Sequence, residues 1–190
     1  MPVKTVSSGN TVLIKGVRVL GIDPGSRICG YGIIETVTGQ PLLNSHNSSR
    51  SNPSTPYRYI ASGRVEMSHA SLHQRLKEIY DALSDIIREY RPTEAVVEKV
   101  FFAKGVKSAL NLGHARGVSL LAATSGGLPI YEYSALEVKK AVVGYGRAEK
   151  RQVQQMVRVI LDLKNALSPD SADALALSIC HLNTMRLGRP

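Results

Sequence analysis

Four acidic residues in this 190-residue chain stand where carboxylates could do chemistry. Asp23 closes the apolar, β-branched run VRVLGID at 17–23, just before a Pro-Gly turn. Glu98 closes a second such run, EAVVE at 94–98. Asp170 and Asp173 follow Ser168-Pro169 and lie three apart, a spacing that puts both on one face of a helix. If the fold brings these side chains together they repel one another, and divalent cations are the usual remedy. A donor set of oxygens alone suits Mg2+ or Mn2+. A pair of such ions ~3.5–4 Å apart hydrolyses phosphodiesters, one activating a water and the other stabilising the leaving oxygen.

Each acid also has a plainer explanation. Asp23 in Asp-Pro-Gly can simply make a turn, and Asp170 and Asp173 can complement a helix macrodipole in the first turn. Glu98 is harder to explain this way, because a carboxylate at the end of a buried strand costs energy without a partner. The chemistry rests on the four acting together, so the elements that carry them decide the matter.

Three strands open the fold: 17–23, then GYGIIET from Gly30, then IASGRVEM from Ile60. Leu72, Leu76, Ile79, Leu83, Ile86 and Tyr90 recur at steps of three and four, the stripe of an amphipathic helix that Pro92 ends. A short buried strand at 94–98, a helix over about 106–124 and a strand at LPIYEY come next. Helices are predicted at 134–143, 148–163 and 169–186, the last with Ser168 as cap and Pro169 at its first position. The order βββαβαβ followed by helices predicts an α/β domain. Its mixed five-stranded sheet has three antiparallel strands extended by two parallel ones, with helices on both faces. Strands one and four can then be neighbours, with Asp23 beside Glu98 and the final helix above them.

Composition narrows the field. Hydrophobic residues at 43% and charged ones at 21% fit a globular chain rather than a disordered or fibrous one. The two cysteines, Cys29 and Cys180, form no metal-ligand spacing or disulfide framework, which suits a reducing cytoplasm. No apolar run is long enough for a membrane span. Lys and Arg number 24 against 15 Asp and Glu, a net charge of +9. Eleven basic residues against four acidic ones between Lys99 and Lys164 place +7 of it in one third of the chain. A regional excess of this kind suits a polyanion, because each neutralised phosphate releases counterions.

Four segments carry a resemblance. VLGIDPGSRICGYGIIE at 19–35, VVEKVFFAKGVKSALNLGHARGV at 96–118, EVKKAVVGYGRAEKRQVQQMV at 137–157 and SPDSADALALSICH at 168–181 occur in the order found in the RuvC family of bacterial Holliday junction resolvases. The likeness runs from Val17 to about Thr184. It implies a ribonuclease H-like fold and a homodimer that cuts two strands of like polarity in a four-way DNA junction during recombination and repair. Products would carry 5′-phosphate and 3′-hydroxyl ends. By the same resemblance Asp23, Glu98, Asp170 and Asp173 match the catalytic, metal-binding quartet, holding two Mg2+ ions that Mn2+ could replace. Lys139 and Lys150 match positions near the active site, and Phe101 one that meets unpaired bases. With Lys104 these make up the implied DNA-binding set, and the branch-migration proteins RuvA and RuvB are the implied partners.

The chain is expected to divide into a flexible extension at 1–16, one nuclease domain at 17–185 and a tail at 186–190. The Ser/Asn/Pro-rich stretch at about 40–58 reads as a polar loop insertion. Both it and the extension are longer than the family pattern. His114 reads as a surface or structural histidine, and Tyr31 and Tyr145 as packing residues. His181 beside Cys180 makes no metal pair, since adjacent helical residues point to different sides. Three rivals remain: another nuclease on the same fold, an actin-like nucleotide-binding module, and a junction-binding protein that does not cut. The second needs two domains and this chain has length for one; crowding four acids argues against the third.

Overall fold

A computed structural model of the chain describes residues 16–37, 56–99 and 105–186. All but the last residue of the extension expected at 1–16, most of the insertion at 40–58 and all but the first residue of the tail at 186–190 lie outside these, as do Phe101 and Lys104.

Five strands form one sheet in the order β3-β2-β1-β4-β5. The strands are β1 (Arg18–Asp23), β2 (Ile28–Thr36), β3 (Tyr57–Glu66), β4 (Glu94–Glu98) and β5 (Ile130–Tyr133). β2 runs antiparallel to β1 and β3, while β4 runs parallel to β1 and to β5. The mixed sheet predicted from the element order is therefore present. β3 starts three residues before Ile60 because Tyr57, Arg58 and Tyr59 already alternate across the pleat, with Tyr57 buried and Arg58 exposed.

Strand alternation divides the molecule into two layers. Leu20, Ile22, Ile33 and Val97 point to one face, where they meet Ile79, Leu83, Ile86 and Ile87 of helix α1 (Leu72–Tyr90) and Ala115 and Ala122 of α2 (Val106–Ser125). Val19, Ile34 and Val96 point to the other, under helices α3 (Ala135–Val143), α4 (Lys150–Ile160) and α5 (Pro169–Arg186). Ser71 caps α1 by accepting from the Gln74 N–H, and Ser134 with Glu137 forms a capping box at α3. α5 begins where Ser168-Pro169 predicts, the Ser168 hydroxyl accepting from the Ser171 N–H at 3.2 Å. Residues 171–182 of α5 are buried except Asp173, so this helix is a central layer rather than a surface one.

Candidate active site

Glycines set how closely α5 lies on the sheet. Gly21 and Asp23 share the α5 face of β1, and across the β1–β2 ladder they stand opposite Gly32 and Gly30. A Cβ on Gly21 would come within 2.6 Å of Ser178 Oγ and 3.0 Å of the Ala174 carbonyl carbon. On Gly32 it would meet the Leu175 nitrogen at 2.7 Å, and on Gly30 the Asp170 carbonyl carbon at 2.6 Å. Real Cβ atoms essentially never approach below 3.0 Å, so any side chain at these positions would lift the helix. The backbone of Asp170 therefore rests on Gly30, the ladder partner of Asp23. Ser178 fixes the same contact from above, donating to the Gly32 carbonyl at 3.1 Å.

This seating brings the carboxylates together. Ile22 of β1 is in register with Val97 of β4, so Asp23 and Glu98 end neighbouring parallel strands on the α5 face. Asp173 faces them from the first turns of α5. Burial, with Asp173 and Glu98 adding their charge, pushes Asp23 up to about 7. Burial and the Asp173 charge also raise Glu98, and burial raises Asp173. Asp23, Glu98, Asp170 and Asp173 thus stand near enough at this end of the sheet for the charge of one to act on another.

Cations answer them on two sides. Lys150, the first residue of α4, sets its ammonium 2.5 Å from Asp173 Oδ2, and that bond holds the lysine above its ordinary range. Arg116 approaches from α2, where it pairs with Glu132 of β5 and draws Glu98 downward against burial. Arg116 carried no signal in the sequence, because its relation to Glu98 depends on how α2 returns beside β4. The predicted Lys139 stands half-buried on α3 between Val138 of the core and exposed Lys140. It is not among the leading charges acting on Asp23, Glu98 or Asp173.

The donor set fits hard divalent cations: oxygens only, crowded and partly desolvated. As the side chains stand, no three His, Cys, Asp or Glu groups among the described residues converge tightly enough to hold an ion. Asp173 in particular is turned to Lys150.

Of the remaining side chains, Tyr145 departs from its sequence expectation, while Tyr31, His114 and His181 follow theirs. Tyr145 is no core residue: it is 47% exposed, on the turn between α3 and α4. Tyr31 packs partly against the α1–α2 core. His114 is exposed on α2. His181 is fully buried, stacked on Tyr131, with Nε2 2.5 Å from Glu94 Oε2 and Nδ1 2.9 Å from the Tyr133 hydroxyl. Its role is to tie α5 to β4 and β5. Cys180 points away into the core and both cysteines are free.

A mixed sheet of this order, with acidic residues ending adjacent central strands and a final helix adding two more, defines a nuclease of the ribonuclease H-like class. Comparison with known proteins makes this particular. Residues 19–181 match the family described as crossover junction endodeoxyribonuclease RuvC. RuvC of Syntrophotalea carbinolica is 50% identical over 171 residues, covering 90% of this chain and 97% of the relative. RuvC of Geobacter sulfurreducens is 48% identical over 168 residues, covering 88% and 93%. The structure of T. thermophilus RuvC in complex with a Holliday junction substrate is similar with a TM-score of 0.76 at 32% identity, over 90% of this chain and 96% of that one. The yeast mitochondrial Holliday junction resolvase Ydc2 shares the fold, with a TM-score of 0.55 at 10% identity over 90% and 78%. The chain belongs to the RuvC family.

Proposed function

We propose that the chain resolves Holliday junctions by metal-dependent hydrolysis of phosphodiesters in two strands of like polarity, in homologous recombination and DNA repair. The observation that carries this is the meeting of Asp23, Glu98 and Asp173 at one end of β1, β4 and α5, where burial lifts all three carboxyl groups and the Asp173 charge adds to the rise of Asp23 and Glu98. In this reading Asp23, Glu98, Asp170 and Asp173 hold two Mg2+ ions, with Mn2+ an effective substitute. Bound there, the cations activate a water and stabilise the leaving oxygen. Asp173 would hold cation together with the other acids, and Lys150, whose ammonium stands 2.5 Å from Asp173 Oδ2, would meet a DNA phosphate beside the cut, where it would stabilise charge that grows in the transition state. Lys139 extends the same basic surface, and Phe101 and Lys104 complete the DNA contacts. Products carry 5′-phosphate and 3′-hydroxyl ends.

Two related cuts call for a two-fold dimer. The exposed side of α2 offers the contact: Val106, Leu110 and Leu121 are 79%, 59% and 56% exposed, and Gly113 and Gly117 lie open between them. They repeat at steps of three and four along one stripe, so a second copy can pack closely against it. The chain acts in the cytoplasm, with RuvA and RuvB as branch-migration partners; among the described residues no helix is long and apolar enough to cross a membrane.

The test is incision of a mobile four-way junction beside a linear duplex of the same sequence and an RNA–DNA hybrid, with Mg2+ and then with EDTA. Paired nicks on the junction alone, lost with EDTA, are expected. Equal cutting of the duplex or hybrid would assign the chain to another nuclease activity, and binding without cutting under Mg2+ and Mn2+ to a non-catalytic role.

A further inference from the structure

The turn between α3 and α4 reads Gly144-Tyr145-Gly146-Arg147. Gly144 takes a left-handed φ of +94° and ends α3, donating its N–H to the Lys140 carbonyl at 2.9 Å. At Gly146 a Cβ would collide with the Leu136 side chain and lie 3.5 Å from Lys140 Cε, so the turn is seated on α3 rather than standing free. Val138 and Val142 of α3 and Ala148 and Val153 after the turn are buried in the core, whereas Tyr145 is 47% exposed. Tyr145 is consequently directed outward, on a short, held turn.

The surroundings of that ring are cationic. Lys140 lies under the turn, Arg147 is exposed on it, and Lys150, which reaches Asp173, opens α4 three residues further on. The nearest acids are committed to helix ends: the Glu137 carboxylate accepts from Ser134, and Glu149 is in the capping box of α4. An outward aromatic beside exposed Lys140 and Arg147, adjacent to the lysine of a nuclease site, has the character of a nucleic-acid surface: cations track phosphates and the ring offers a face to a base.

We propose that Tyr145 stacks on an unpaired base of the bound junction while Arg147 takes the adjoining phosphate, making the α3–α4 turn a DNA contact next to Lys150. The inference rests on the nuclease reading above and adds to it a base-contacting residue outside the four-carboxylate site.

The chain contains no tryptophan, so Tyr145→Trp creates a single reporter at this turn. In an Asp170→Asn background, which keeps the junction whole, adding a four-way junction should quench its emission about twofold or more through base stacking. His73→Trp, on the exposed side of α1, should keep its emission. Tyr145→Ser should weaken junction binding about 5- to 50-fold with its salt dependence unchanged, and Tyr145→Phe should restore it. Arg147→Gln should lower the slope of log affinity against log salt by about one. An unquenched tryptophan on a bound junction, or a serine variant with wild-type affinity, overturns the stacking. A wild-type chain that fails to bind the junction at all would instead bring down the nuclease reading.

Discussion

Replacing Gly21 by alanine tests the seating of α5 directly. The new methyl group would lie 2.6 Å from Ser178 Oγ and nearer still to the Ala174 carbonyl oxygen, against the 3.4 Å beyond which Cβ contacts are ordinary. Neither neighbour can swing aside: the carbonyl belongs to the helix backbone, and the Ser178 hydroxyl is bonded to Gly32 at 3.1 Å. The difference between 2.6 and 3.4 Å requires α5 to rise from β1 by about 0.8 Å or more. Overpacking of this kind costs ~1–3 kcal/mol and a lost buried hydrogen bond adds ~1 kcal/mol, so the loss of stability is about 2–4 kcal/mol. Ala174 adjoins Asp173, so the same movement draws Asp173 from Asp23, and a misplacement of ~1 Å in a catalytic constellation costs on the order of 100-fold in rate. Urea unfolding followed by circular dichroism measures the first effect. Single-turnover incision of a four-way junction in Mg2+, at a temperature where the variant remains folded, measures the second. Wild-type stability together with a wild-type rate would refute the account of α5 as a helix resting on side-chain-free backbone.

Asp23→Asn should separate stability from activity. With a folded pKa of about 7 against an ordinary 3.8, Asp23 binds more protons in the folded than in the unfolded chain between those values, so cation-free stability falls as pH rises from about 4 to 7. In EDTA above pH 7 the variant should therefore melt higher than wild type, by on the order of 2 kcal/mol of stability, while incision is lost. Equal pH slopes for the two proteins in thermal melts would contradict this. Lys150→Met removes the cation that meets Asp173 at 2.5 Å and should slow single-turnover incision by about 100-fold; an unchanged rate would remove Lys150 from the site. Asp170→Asn should leave junction affinity in a gel-shift assay intact or slightly raised, since one negative charge fewer faces a polyanion, and should abolish cutting. Glu94→Leu leaves buried His181 without its carboxylate and should cost about 1–3 kcal/mol in urea unfolding, with incision retained by the folded fraction.

Much of this fold is legible in the residue pattern. The strand at 94–98 and the helix at 169–186 lie where apolar runs, Ser-Pro and the charged ends put them, because each is bounded by local turn and cap chemistry. The four acids are legible because each ends or opens such an element. Less local features are not. Tyr57 reads as loop because Ser, Asn and Pro surround it, yet its ring is buried and reaches Asn183 of α5. Tyr145 reads as packing because a tyrosine's identity does not say whether its turn faces the core or the solvent. Gly21, Gly30 and Gly32 stand in plain view at alternating positions, but their meaning lies in a helix that contacts Gly32 across a separation of 146 residues. Arg116 is likewise one among 24 basic residues until the fold brings its charge to bear on Glu98, while Lys150 is marked out by its family motif alone.

That 146-residue separation bears on when the protein becomes dangerous to its own chromosome. β1 and β4 emerge early from the ribosome with Asp23 and Glu98, but the other two acids and the layer that desolvates the first pair belong to α5, the last described element. Contacts so distant in sequence close late in folding. If the four acids act together as proposed, a nascent or truncated chain ending before residue 169 has half of them and an open sheet face, and cannot cut. On that reading the order of the elements acts as a safeguard: nuclease activity arrives in a single step, with completion of the domain.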